Sequence, residues 1–199
     1  MGSVYVALLH HPVLGPEGGV VTSSVTSLDM HDLARAGRTY GVAGTFVVHP
    51  SPPQRLFVRR VLEHFLEGQG RELNPQRGET LAQVQVVADL DAALEAVEAR
   101  EGRRPLLAAT SAREDPGALG YEALRERIGR EPAPILLLFG TSWGLAPEVF
   151  ERSDIRLASL RGAGEEGFNH LSVRSAAAVV LDRLLGAREA PQEGAGLWT

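Results

Sequence analysis

The sequence predicts an α/β protein, a mostly parallel six-stranded sheet with helices on both faces. Two observations predict it. Short apolar runs alternate with amphipathic segments of helix length along most of the chain, the pattern of strand–helix–strand units. One of the runs, Ile135 to Phe139, is continuously apolar, as in a strand buried on both faces.

Val4 to Leu9 reads as the first strand. Leu28 to Tyr40 follows as a helix, with Ser27 or Asp29 available as its cap and Gly41 to end it. Gly44 to Val48 is the second strand. Pro52 and Pro53 open a helix running from Gln54 to Leu66, because proline suits a first helical turn. Val84 to Ala88 is the third strand. Asp89 then caps Leu90 to Arg100, whose Leu90, Ala93, Leu94 and Val97 fall on one face. Leu106 to Ala109, Ile135 to Phe139 and Ile155 to Ala158 complete the sheet, with a short helix at Tyr121 to Ile128. Leu171 to Leu185 is the last helix, stopped at Gly186. No linker or repeat interrupts the alternation, so residues 1–186 read as one domain. The rest, 187–199, carries Pro191, Gly194 and Gly196 and reads as a loosely held tail in which Trp198 is exposed.

Composition sets outer limits. At 199 residues and 44% hydrophobic content the chain can bury a core. There is no cysteine, which excludes disulfides, thiolate metal sites and thiol catalysis. The formal net charge of -5 argues against a uniformly basic nucleic-acid coat but leaves room for a local patch. All 20 basic residues are arginine. No segment approaches the ~20 apolar residues of a membrane span, so the expected location is the cytoplasm.

Ligands of open α/β sheets sit beyond the carboxyl ends of the strands. Three loops there are rich in glycine and small polar residues: Thr110 to Arg113, Gly140 to Leu145, and Arg161 to Ser172. Glycine lets backbone approach a ligand closely. One such loop merely turns the chain; three at one sheet edge point to a small-molecule site. The usual dinucleotide, triphosphate and nucleophile-elbow fingerprints are missing. His10 and His11 are adjacent and lack metal-ligand spacing, so no metal is expected. Asp29, His31, Asp32, Arg35 and Arg38 cluster on the first helix. They read either as a salt-bridged surface or as a site where arginine meets phosphate and a carboxylate handles a proton. Arg35, Arg38, Arg55, Arg59 and Arg60 could form a basic stripe or be scattered in ion pairs.

From Leu136 to Leu185 the residues acquire a resemblance. Asn169 to Ala176 (NHLSVRSA) resembles the last motif of the SPOUT-class RNA methyltransferases. Phe139-Gly140-Thr141 with Gly144 to Glu148 resembles the motif before it, and Thr110 to Arg113 the loop preceding that. Asp29 to Val42 is similar to the first motif of the class. Over Val4 to Gly186 the chain most resembles the bacterial RNA methyltransferases that are sometimes fused to tRNA guanine-N1 methyltransferase.

The resemblance implies a C-terminal deep trefoil knot whose loops bind S-adenosylmethionine (SAM), and a homodimer with the active site at the interface. By carry-over, Thr110, Ser111, Gly140, Leu160, Gly162, Asn169, Leu171 and Ser172 would form the SAM pocket. Arg35 would contact the RNA, tRNA or rRNA. Asp29 and Asp32 are the first candidates for proton removal from a base nitrogen or ribose 2'-OH, then His31, then Glu165 and Glu166. The alternative is a non-catalytic SAM-, nucleotide- or RNA-binding module. Two positions depart from the class pattern. Asp29 stands where the class has Asn, and Ser142 stands where it has Gly. A serine there requires a backbone outside the positive-φ region.

Overall fold

A computed structural model describes residues 2–164 and 168–188. The strands are β1 (Val4–Leu9), β2 (Val13–Leu14), β3 (Val20–Val21), β4 (Gly44–Val48), β5 (Val84–Val87), β6 (Leu106–Ala109), β7 (Ile135–Gly140) and β8 (Ile155–Arg156). The helices are α1 (Ser27–Thr39), α2 (Pro52–Leu66), α3 (Gln69–Leu73), α4 (Pro75–Leu81), α5 (Leu90–Glu101), α6 (Tyr121–Arg130), α7 (Pro147–Glu151) and α8 (Val173–Leu185).

The main sheet has six strands in the order β5-β4-β1-β7-β6-β8, and every pairing in it is parallel. β1 is buried along its whole length between β4 and β7. From β1 the chain builds outward through β4 and β5, then crosses to the other side and inserts β7 against β1. The reversal of strand order therefore falls between β1 and β7, where open α/β sheets form a ligand crevice.

Alternate residues of β1 and β7 feed two cores. Val4, Val6, Leu8, Ile135, Leu137 and Phe139 pack beneath α1, α6 and α8. Tyr5, Ala7, Leu9, Leu136 and Leu138 pack against α5 and α7 on the opposite face. A third cluster joins Val47 of β4 to Met30 of α1, Val58 of α2 and Leu81 of α4.

The six expected strands of the sheet are all present. The cap of α1 differs from expectation. Thr26 is the N-cap, and Asp29 is its reciprocal partner three residues on, in a capping box. Two short elements come from turn-rich sequence: the β2–β3 hairpin, and the α3–α4 pair inserted between α2 and β5. The expectations for Trp198 and for the two glutamates Glu165 and Glu166 lie outside the described residues.

Beyond the ends of β1 and β4 two imidazoles meet, His10 and His49, with ring centroids 5.6 Å apart. His49 is fixed as one tautomer. Its Nδ1 accepts from the Ser51 amide at 3.0 Å, so its Nε2–H donates to the Ser23 carbonyl at 2.9 Å. His10 is fully buried, and neither ring nitrogen finds a partner among the described residues. Burial first, and then the neighbouring His49, lower its pKa to about 4. A histidine held neutral in the fold but free to protonate when unfolded stabilises the fold above pH ~6.5, and that contribution is lost as pH falls toward 4. The loss from His10 is on the order of 3 kcal/mol. His10→Leu should therefore flatten the acid side of a stability–pH profile measured by urea unfolding. An unchanged acid slope would show that His10 is not the group responsible.

Candidate active site

The loops that follow β3, β6, β7 and β8 converge on one cavity of about 730 Å³. Thr110 and Ser111 come from the loop after β6, and Gly140 to Leu145 from the end of β7 and its loop. Leu160, Asn169, Leu171 and Ser172 come from the segment after β8, Ser23 and Ser24 from the loop after β3, and Asp29 from α1. Phe139, Leu145, Leu160 and Val180 give apolar wall, and hydroxyl and amide side chains stand between them. Seven of the eight residues expected to hold a cofactor line this space. Gly162 does not.

Local geometry explains the loop after β7. A Cβ on Gly140 would sit 2.5 Å from the Leu145 amide nitrogen, so only glycine lets the loop fold back on itself. Thr141 Oγ1 donates to the Leu9 carbonyl at 3.2 Å. Ser23 must then be the donor in its own hydrogen bond to Thr141, which ties the loop after β3 to the loop after β7. Ser142 sits at φ 57, contrary to the sequence expectation. The left-handed conformation is kept although glycine is absent, and the serine bears the strain. Across the cavity, the Asn169 side-chain amide donates to the Ala112 carbonyl at 3.2 Å, joining the segment after β8 to the loop after β6. Ser172 caps α8 by accepting from the Ser175 amide.

Asp29 reaches the cavity but is heavily engaged. One carboxylate oxygen accepts from the Thr26 hydroxyl at 2.6 Å and from the Thr26 amide. The other accepts from Arg174 of α8 at 3.2 Å. The same guanidinium pairs with Asp32 at 3.2 Å. Asp29, Asp32 and Arg174 thus pin α1 to α8. Arg174 was not singled out by sequence reading, since no local spacing relates it to α1.

Arg35 faces elsewhere. It lines a second cavity, of about 440 Å³, together with His31 and Arg38 of α1 and Arg77 of α4. Burial, followed by the charges of Arg77 and Arg35, holds the His31 pKa below the usual histidine value. The other arginines of the sequence stripe do not join them. Arg55 donates to the carbonyls of His49 and Pro50, and Arg60 pairs with Glu63 at 3.2 Å.

Comparison with known proteins follows the same line. A family model for SAM-dependent RNA methyltransferases matches residues 3–186. The chain belongs to this family. As a SAM-dependent RNA methyltransferase family member it is 42% identical over 184 residues to the tRNA (guanine-N(1)-)-methyltransferase of Oleidesulfovibrio alaskensis. That match covers 92% of this chain but only 42% of the relative, so the chain spans less than half of that longer protein. A protein of Aquifex aeolicus is 38% identical over 182 residues, with 92% of this chain and 88% of the relative covered. Among solved structures, a probable methylase family protein from Haemophilus influenzae superimposes with a TM-score of 0.61 at 18% identity, covering 92% of this chain and 65% of that one. The SpoU methyltransferase AviRb from Streptomyces viridochromogenes, in complex with AdoMet, gives a TM-score of 0.56 at 16% identity, covering 92% and 57%. These structures share the α/β fold of the family member described here.

Two substitutions test this geometry. Ser142→Gly removes left-handed strain and adds freedom to the unfolded chain, so the net gain should be at most ~1 kcal/mol. A lower urea midpoint would instead show that the Ser142 side chain holds the loop. Arg174→Ala leaves buried Asp29 with an uncompensated oxygen and should cost about 1–3 kcal/mol. Unchanged stability would mean that α8 docks on α1 by apolar packing alone.

Proposed function

We propose that this chain binds SAM in the 730 Å³ cavity and methylates an RNA nucleotide presented at its mouth. The observation that carries the reading is the convergence of the loops after β6, β7 and β8 on one space, in a chain that belongs to a SAM-dependent RNA methyltransferase family. The residues present fit the cofactor. The volume lies in the ~300–1,000 Å³ range of small-molecule sites. Gly140 closes a turn that any Cβ would open, so the backbone of Gly140 to Leu145 can form one wall of the pocket. Phe139, Leu145 and Leu160 offer apolar faces for a planar base, and Thr110, Ser111 and Ser172 offer hydroxyls to its polar edges and its sugar. The charged lining residues are Asp29 and Arg113, which suit the ammonium and carboxylate of an amino-acid tail.

When bound, SAM supplies an electrophilic sulfonium methyl, while the protein supplies binding and orientation. Asn169 holds two of the loops at a fixed separation, through its bond to Ala112. Ser23 and Thr141 fix the wall opposite. Holding nucleophile and methyl at near-attack distance can contribute several kcal/mol, up to about 7–11. Asp29 and Asp32 have their carboxylates engaged with Arg174, so proton removal by either requires that pairing to open. This engagement favours one second reading, a SAM- or RNA-binding module without catalysis.

Three finer features belong to the same proposal. The run from Asn169 to Ser172 would pass through the loop after β6, giving a deep trefoil knot, which the Asn169 bond to Ala112 and the return of α8 beside α1 support. Backbone tracing from 157 to 173 in an experimental density map tests this, and a path beside that loop removes the knot. Trp143 and Leu171 at the cavity, and Phe168 next to Asn169 in the chain, leave 59%, 52% and 73% of their surfaces exposed, apolar area suited to a second subunit. Sedimentation should therefore show a homodimer. No helix among the described residues is long and apolar enough to cross a membrane. From the proposed RNA substrate we read a cytoplasmic site of action. We read residues 1–186 as one domain, of which the family model matches 3–186.

Titration calorimetry with SAM and with S-adenosylhomocysteine should give about one site per chain. Asn169→Ala should weaken both ligands at least tenfold, a loss of ~1.4 kcal/mol or more. Unchanged affinity would remove the cavity as the cofactor site. Arg35→Ala should keep SAM affinity and lower transfer of radiolabelled methyl to bulk tRNA or rRNA. Saturable SAM binding with no transfer to either RNA would select the binding-module reading.

A further inference from the structure

The second cavity is built by the insert that sequence reading left unassigned. α3 and α4 lie against α2 only because two of their residues are glycines. A Cβ on Gly78 would sit 2.5 Å from the Phe65 carbonyl oxygen, and one on Gly70 would sit 2.7 Å from the Phe65 ring. This close approach carries Arg77, at the start of α4, over the Phe65 ring, with its guanidinium carbon 5.2 Å from the centroid. The edge of His31 meets the same ring at 5.2 Å. Arg77 is half-buried over that ring, and its buried Nε has no hydrogen-bond partner among the described residues.

The charge in the groove is unbalanced. Arg35, Arg38 and Arg77 line it with a single carboxylate, Glu79, which is held by Arg38 at 2.8 Å. Asp32, the acid nearest in sequence to Arg35 on α1, is drawn to the other side by Arg174. No ion pair engages Arg35 or Arg77 among the described residues. A stacked guanidinium with a free donor edge, facing a second unpaired arginine, is suited to bidentate contact with phosphate oxygens. Asn74, Gln76 and Thr80 add neutral polar groups around it.

We propose that this groove, formed by Arg77 of the α3–α4 insert with Arg35 and Arg38 of α1, binds backbone phosphodiesters of the RNA substrate. The proposal rests on the RNA-methyltransferase reading and adds to it a docking element outside the cofactor cavity. α1 carries both sites. Asp29 faces the cofactor cavity, and His31, Arg35 and Arg38 face the groove.

The test is the salt dependence of binding to fluorescein-labelled bulk tRNA, followed by anisotropy, on the full chain. Each phosphate contact contributes about 0.7–0.9 to the slope of log affinity against log salt. Arg77→Gln should lower the slope by about that amount and weaken binding at low salt, with SAM affinity unchanged. Arg77→Lys, which keeps the charge, should restore most of the slope. Arg130→Gln, on α6, should leave it unchanged. An unaltered slope in Arg77→Gln overturns the groove even if that variant melts earlier, since lost packing on Phe65 would account for the melting alone. AMP should not compete at matched phosphate concentration. Saturable AMP binding that Arg77→Gln abolishes would overturn the proposal in favour of a mononucleotide site. A wild-type chain that binds SAM but not RNA would overturn both the groove and the RNA reading, whereas a wild type that binds RNA with an unchanged Arg77→Gln slope overturns the groove alone.

Discussion

The pairing of β1 with β7 governs the rest of the molecule. Six residues of each strand lie in register, from Val4 against Ile135 to Leu9 against Gly140. The two segments are far apart in sequence, yet their pairing closes the centre of the sheet. It also sets the end of β7 level with the end of β1. Thr141 can then donate to the Leu9 carbonyl, which seats the loop after β7 on the end of β1. Slip the register by one residue and Phe139 would turn from the α8 side to the α5 side, emptying the cavity of one of its apolar faces. The site is thus a consequence of register before it is a consequence of any single side chain.

What the sequence revealed follows from which interactions are local. The strands of the sheet are short apolar runs bounded by turn residues, and the longer helices carry caps and a periodic face, so both were legible. Seven of the expected cofactor-pocket residues fall on the cavity because parallel strands leave their loops at one edge. The misses have physical causes. α3 and α4 are five and seven residues long, too short for a periodic signal. Only Asn74-Pro75, a cap followed by proline at the first helical position, announced α4. Ser142 was expected to avoid positive φ because strain is invisible until the loop is seen to be clamped from both sides. Arg174 could not be assigned a role, because its partners Asp29 and Asp32 lie about 145 residues away.

Asp29 has architectural bonds at a position that the sequence marks for proton transfer. Its position in the first motif suggested proton transfer. Its observed bonds complete a capping box, a task open to any acceptor, and anchor α8 through an ion pair with Arg174. Where the class has Asn, an amide could make similar contacts to Thr26 but would give Arg174 a weaker partner. The acid at this position therefore fits a chain whose last helix is held by charge.

The two faces of α1 have a consequence for substrate choice. From Asp29 to Arg35 the helix rises about 9 Å, and that length cannot stretch. If the proposed groove and cavity act together, an RNA strand anchored at the groove would span a set interval before a nucleotide reached the methyl donor. On that arrangement the helix would act as a ruler. A ruler selects by distance rather than by base identity, so the target would be defined by how far it lies from a backbone bend or stem end. Lengthening the reach would require a different helix, not a different side chain.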